Sequence, residues 1–141
     1  MIYTTSGDIM IAKTRPVQND IEELATLINN AVFSVRSEMG VGLLDDVYRL
    51  CLVEELKSLG LNVKTQVPMP IKNEDVNFEE AYRIDILVED RAIIEIKPSC
   101  SKADLHKARV STYLRHSGYP LGFLVDYDSK RKKGCLNRVT L

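Results

Sequence analysis

Three residues carry the chemistry to be tested first: Asp85, Glu95 and Lys97. Side chains alternate along a strand, so residues two apart share a face. In AIIEIK, Glu95 and Lys97 project from one side while Ile94 and Ile96 point into a core. In the preceding RIDILV, Arg83, Asp85 and Leu87 share one face, and Ile84, Ile86 and Val88 share the other. The connector Glu89-Asp90-Arg91 decides whether the two acids meet. An odd-length loop centred on Asp90 places Asp85 opposite Glu95, with Cβ atoms ~5 Å apart. A two-residue turn pairs Asp85 with Ile94 instead and sends the acids to opposite faces.

Two carboxylates that close repel, and one is driven towards protonation. A divalent cation removes the conflict. Hard ions such as Mg²⁺ take oxygen ligands and keep several waters. Asp85, Glu95 and the backbone carbonyl of Ile96 would supply such ligands. The ion would polarise a phosphoryl oxygen and acidify a bound water. Lys97 would orient or deprotonate that water, or stabilise negative charge in the transition state. Arg83, on the face of Asp85, is either a phosphate-binding group or a plain ion-pair partner. The rival reading of Glu95 and Lys97 is a solvated ion pair on one strand face. The Asp on the neighbouring strand, the apolar flanks and the helix that follows favour the site.

The elements that would position these residues are legible from periodicity. From Asp20, apolar residues Ile21, Leu24, Ala25, Ile28, Ala31, Val32 and Val35 recur at helical steps, and Met39-Gly40 ends the helix. A second helix covers Leu44 to Leu59, with Val47, Cys51, Leu52 and Leu56 as its buried face and Gly60 closing it. Asn62 to Ile71 alternates as a strand with one wet face, and Pro68 and Pro70 push it to a sheet edge. Lys72 to Asn77 is a polar turn. Glu80 to Val88 and Ala92 to Lys97 form a hairpin. A helix from Lys102 to His116 follows, with Ser101 as N-cap. Tyr119 to Tyr127 is a central strand, and a basic loop from Lys130 to Gly134 leads to a last strand, Cys135 to Val139. The order is α-α-β-β-β-α-β-β. Residues 1–18 read as a tail or short added strand, and residues 19–141 as one domain.

The chain has 141 residues, 45% hydrophobic and 28% charged, with a formal net charge of -1. That suits one soluble globular domain. The charge argues against a constitutively basic nucleic-acid coat protein but leaves room for a local basic groove. Cys51, Cys100 and Cys135 are an odd number without CxxC spacing, which fits a reducing cytoplasm and carries no zinc signature. Cys51 reads as a core residue. The N-terminus lacks the pattern of a signal peptide, and no apolar run approaches the ~20 residues of a membrane span. His106 and His116 lack metal-pair spacing and read as surface residues. The run Lys130 to Lys133 is either a solvated loop tip or a phosphate contact.

These residues resemble a known group. Asp85 followed by Glu95-Ile96-Lys97 is similar to the motif of the PD-(D/E)xK nuclease superfamily. Upstream, Gly42-Leu43-Leu44-Asp45-Asp46-Val47-Tyr48 resembles the signature of the GxxExxY proteins, a subfamily of it. The likeness extends through LGLNVKTQVPMPI, YRIDILVED, IIEIKP and TYLRHSGYPLGFLVDY, from about Ile21 to Val139. It implies an α/β, restriction-endonuclease-like fold with a mixed central sheet flanked by helices. It also implies phosphodiester hydrolysis with Mg²⁺, or Mn²⁺ in its place. By position, Asp85 and Glu95 become metal ligands and Lys97 the catalytic lysine. Asp45 stands where the family has a helical Glu that helps the metal site, and Tyr48 is the motif tyrosine. Two departures are evident. Asp45 is one methylene shorter than Glu, and Asp46 points about 100° away. The family's Gln-x-x-x-Tyr reads Arg109 to Tyr113, so an amide has become a cation. Arg109 would grip a phosphate or pair with Glu95 or Asp85.

Three functions compete: a metal-dependent nuclease on DNA or RNA, a nucleic-acid-binding module without turnover, and a subunit or homodimer. Exposed apolar residues between Val67 and Ile71 would favour the last.

Overall fold

A computed structural model describes residues 20–75, 77–130 and 135–141. The expected N-terminal tail and residues 131–134 of the basic loop lie outside them.

The first helix, α1, spans Ile21–Met39. It starts where the Asp20 carboxylate accepts from the amides of Glu22 and Glu23, at 2.9 and 3.1 Å, as an N-cap should. It ends at Gly40, whose φ of 71° few other residues adopt. Its buried face is Leu24, Ile28, Ala31, Val32 and Val35, matching the periodicity.

Helix α2 spans Asp45–Ser58. Its buried residues are Tyr48, Leu52, Val53 and Leu56, while Val47 and Cys51 are only partly buried. The face is therefore rotated from the expected one. The cause is Tyr48, whose apolar ring stacks on Tyr127 at 4.3 Å between centroids.

Strands β1 (Val63–Lys72), β2 (Asn77–Val88), β3 (Ala92–Ile96), β4 (Leu121–Val125) and β5 (Leu136–Val139) form one sheet in sequence order. All neighbours are antiparallel except β3 and β4, which are parallel. A parallel pair needs a crossover, and helix α3 (Ala103–Ser117) supplies it. Every residue of β3 and β4 is buried, because helices cover both faces. Helices α1 and α2 pack with Ile86, Val88, Ile94, Ile96 and Phe123 in one layer. Helix α3 packs Val110, Tyr113 and Leu114 against Met69, Ile84, Leu87 and Ile93 in the other. The described residues thus form a mixed α/β fold, a five-stranded sheet flanked by three helices, consistent with the expected restriction-endonuclease-like architecture.

Several local expectations need correction. Ser101 does not cap α3: the N-cap residue is Lys102, without a side-chain bond. The Ser101 carbonyl accepts from Lys97 Nζ instead. The strand expected from Tyr119 to Tyr127 is shorter and lies second from an edge; β3 is the centre. Pro68 and Pro70 do lie on an edge strand. That strand does not keep one wet face, because Val63 packs in the first layer while Val67, Met69 and Ile71 pack in the second. Ile84 and Ile86 on β2 likewise separate into different layers. The break lies at Gln66, whose φ of 52° is left-handed. It falls between the pairs Thr65↔Ile86 and Val67↔Ile84, opposite Asp85. Left-handed backbone in a non-glycine residue interrupts the strand alternation. The apolar residues from Val67 to Ile71 are consequently packed, with Met69 buried, and present no exposed apolar stripe.

Helix α3 reaches β4 closely at Gly122. A Cβ there would meet Leu114 Cδ1 at 2.7 Å and Val110 Cγ1 at 2.8 Å. Gly122→Ala is expected to destabilise the protein by about 1–3 kcal/mol, the usual cost of overpacking. Urea denaturation checks this, and an unchanged midpoint would show that α3 seats less tightly.

Candidate active site

The β2–β3 hairpin brings the two acids together. Its ladder pairs Val88↔Ala92, Leu87↔Ile93 and Ile86↔Ile94, so the loop is odd in length and centred on Asp90. Glu89 and Asp90 both adopt left-handed backbone to close it. The ladder stops at Ile86↔Ile94, one step before Asp85 and Glu95. Beyond that point Asp85 Oδ2 accepts from the Ile96 amide at 3.0 Å. A side chain thus takes the hydrogen bond that a continuing strand would have made.

Asp85 Oδ1 accepts from Arg49 of α2 and from Gln66 Nε2 of β1, each at 3.3 Å. Burial pushes the Asp85 carboxyl above its ordinary value; the Ile96 amide and Arg49 pull against this, and nearby Asp45 adds to it. Glu95 is only 6% exposed. Its Oε2 lies 2.9 Å from His106 Nδ1 and 3.7 Å from an Arg109 nitrogen. Burial raises the Glu95 carboxyl as well; His106 opposes the rise and the negative charge of Asp85 reinforces it.

Lys97 is buried, and its ammonium faces a different set of oxygens. Nζ donates to the carbonyls of Pro98 and Ser101 at 3.2 and 3.0 Å. It also lies 3.7 Å from carboxylate oxygens of Asp126 and Asp128. The lysine is thus held at the C-terminal ends of β3 and β4. Asp45, the first residue of α2, is half-buried and close enough for Asp85 to feel its charge. Asp46 is exposed and pairs with Arg49.

The remaining expected residues are distributed unevenly. Arg109 reaches Glu95 and lies over the Tyr82 ring, 6.0 Å from its centroid. Tyr113 is buried and donates to the Arg83 carbonyl at 3.2 Å. The Arg83 guanidinium donates to the Gln66 carbonyl at 3.3 Å, spanning the strand break. Tyr48 is turned inwards: its hydroxyl donates to the Gly40 carbonyl at 2.7 Å and accepts from the Leu43 amide at 3.3 Å. The loop from Gly40 to Leu43 is thereby fastened to α2.

Three neighbours of the acids were not expected. Gln66 and Arg49 bind Asp85, and His106 binds Glu95. His106 was read as a surface residue, and the structure overturns this: it is 5% exposed, while His116 is exposed as expected. The signal for His106 was helical spacing, since it shares a face with Arg109, Val110 and Tyr113. Arg49 lies one turn beyond Asp45 by the same rule. Nothing in the sequence marks Gln66 for left-handed backbone.

The donor set suits a hard divalent ion in one respect. Glu95 is buried and Asp85 half-buried near it, and burial raises both carboxyls, so added positive charge would favour their ionised forms. Among the described residues no group of three or more His, Cys, Asp or Glu side chains is arranged as a metal cage. Mg²⁺ sites commonly use one or two carboxylates, with substrate phosphates and water completing them.

A family model of the PD-(D/E)XK nuclease superfamily matches residues 22–139. The chain belongs to this superfamily. No curated protein and no solved structure matches it. Membership makes the function nuclease-like and nucleic acid the substrate class implied; nucleases of this superfamily generally use divalent metals. Among the described residues no helix is long and apolar enough to cross a membrane.

Two measurements probe the site directly. A buried carboxyl raised in the folded state contributes most below its unfolded value, and the contribution is lost as pH rises through the folded value. For Glu95 that loss begins above the ordinary 4.5. The stability of the metal-free protein relative to Glu95→Gln is therefore expected to fall as pH rises from there. Denaturation at a series of pH values would show a constant difference if Glu95 were unperturbed. Tyr48→Phe is expected to cost about 1–2 kcal/mol through its lost hydrogen bonds. A raised KM for nucleic acid with unchanged stability would instead place Tyr48 on the substrate.

Proposed function

We propose that this protein is a metal-dependent phosphodiesterase of the GxxExxY type that hydrolyses nucleic acid. The observation that best supports the reading is the odd hairpin register, whose ladder ends one step before Asp85 and Glu95 and leaves them close enough for the charge of Asp85 to raise the buried Glu95 carboxyl. Asp85, Glu95 and the Ile96 carbonyl would hold Mg²⁺ or Mn²⁺, with Asp45 acting through water because its side chain is short. An ion held there would polarise a phosphoryl oxygen and acidify a bound water. His106 keeps Glu95 Oε2 oriented, and the Ile96 amide does the same for Asp85. Lys97 follows the last residue of β3, two positions beyond Glu95. Its flexible stem lets the ammonium turn from the Pro98 and Ser101 carbonyls towards the attacking water or the developing negative charge.

Substrate contacts would come from Arg109 and Arg83, with the buried Tyr113 supporting Arg83 through its carbonyl. Arg109 is the best placed of these, because it borders a groove of about 200 Å³ lined also by Tyr82, Leu105, Ala108 and Thr112. The single-domain reading of residues 19–141 and a cytoplasmic setting belong to the same proposal. Cys51, Cys100 and Cys135, none of them in a disulfide among the described residues, are in keeping with that setting.

A second reading has its own support. Asp85 already faces Arg49, and Glu95 faces His106 and Arg109. Those partners would suit a degenerate nuclease that binds nucleic acid or a protein partner without turnover.

Cleavage assays with Mg²⁺ or Mn²⁺ on single- and double-stranded DNA and RNA separate the two. The enzyme reading expects turnover in the wild type, loss of it in Asp85→Ala, and a drop of about 10²–10³-fold in kcat for Lys97→Ala. Activity unchanged in both variants, or absent from the wild type with every substrate and metal, overturns it.

A further inference from the structure

Arg49 is engaged at both ends of its guanidinium. One terminal nitrogen lies 3.3 Å from Asp85 Oδ1, and the other pairs with Asp46. Asp85 is largely buried, its side chain 16% exposed, whereas that of Asp46 is 74% exposed. The arginine therefore bridges a buried acid and the protein surface. We propose that Arg49 is a resident cation that holds Asp85 until a divalent ion replaces it, and that the released nitrogen then binds a phosphate of the nucleic acid. This rests on the reading of Asp85 and Glu95 as metal ligands.

The contacts of Asp85 determine which group must move. The Ile96 amide and the Gln66 side-chain amide are neutral donors and tolerate a cation on the same carboxylate. Arg49 carries a full positive charge against Oδ1, and like charges a few ångströms apart in a partly buried setting repel strongly. Asp46 offers the guanidinium a place to remain. With one nitrogen anchored there, the nitrogen freed from Asp85 keeps the fork geometry that suits a phosphate. Glu95 is different. His106 is itself buried against Oε2 and has no comparable exit, so it stays as an orienting partner.

The test measures Mn²⁺ affinity by calorimetry on the full chain as wild type, Arg49→Gln, Arg49→Lys and Asp85→Asn. Thermal denaturation confirms that each variant is folded. Affinity for fluorescent DNA and RNA oligonucleotides is then measured with Mn²⁺ present, on a Lys97→Ala background that slows cleavage. Arg49→Gln is expected to tighten Mn²⁺ by about tenfold, equivalent to about 1.4 kcal/mol. It should also weaken oligonucleotide binding and lower its salt slope by about one. Arg49→Lys, which keeps the charge but not the fork, should leave Mn²⁺ affinity near wild type and still weaken the oligonucleotide. Asp85→Asn should lose Mn²⁺.

Mn²⁺ binding by Arg49→Gln but not by the wild type supports the proposal in its strongest form. Wild-type Mn²⁺ affinity unchanged or weakened in Arg49→Gln overturns it while leaving the two-carboxylate site standing. Absence of Mn²⁺ binding from both overturns the proposal and the metal site together. Tighter Mn²⁺ with unchanged oligonucleotide affinity overturns the phosphate role.

Discussion

Burying a carboxylate costs several kcal/mol unless positive charge or hydrogen-bond donors accompany it, and this molecule holds a buried carboxyl, Glu95, near a half-buried one, Asp85. The surroundings of Asp85 and Glu95 follow from that constraint. Helix α2 brings Arg49 to Asp85, and helix α3 brings His106 and Arg109 to Glu95. The Ile96 amide adds a neutral donor. Each flanking layer thus neutralises one acid. Both carboxyls nevertheless stay raised, because burial outweighs the partners. The pair is compensated enough to fold and strained enough to gain from further positive charge, a balance typical of functional sites.

The site lies where regular pairing ends. The ladder between β2 and β3 ends at Ile86↔Ile94, whereas β3 continues beside β4 to the Lys97 amide, which donates to the Val125 carbonyl at 2.8 Å. The β2 ladder closes first, and the Asp85 side chain covers the amide left behind. On the other flank of β2, the left-handed turn of Gln66 interrupts the β1 pairing at the same level. Asp85 is therefore released from regular alternation on both sides. Had β1 and β2 kept one face throughout, Ile84 and Ile86 would share a layer and α3 would lose Ile84 from its contact surface. The same break that frees the acid also builds the second core.

Much of this architecture was legible in the chain. Apolar spacing marked α1 because all its buried residues are aliphatic, and Asp20 and Gly40 marked its ends. Proline at positions 68 and 70 indicated an edge strand. The odd loop around Asp90 indicated the register that makes Asp85 and Glu95 neighbours. Less legible was α2, whose inward face turns on Tyr48, because a tyrosine's apolar body is hidden behind its hydroxyl in any polar-apolar pattern. His106 was misplaced for a related reason: a histidine is buried only when a partner such as Glu95 waits for it, and that partner lies on another element.

The sequence by itself determined the order of elements and the hairpin register, because these depend on local periodicity and short spacings. Only the tertiary structure decided where the charges point. Lys97 turns to carbonyls and to Asp126 and Asp128, and Arg49 turns to Asp85 rather than to solvent. Long side chains follow the electrostatic field of distant elements, and that field exists only after the layers have packed.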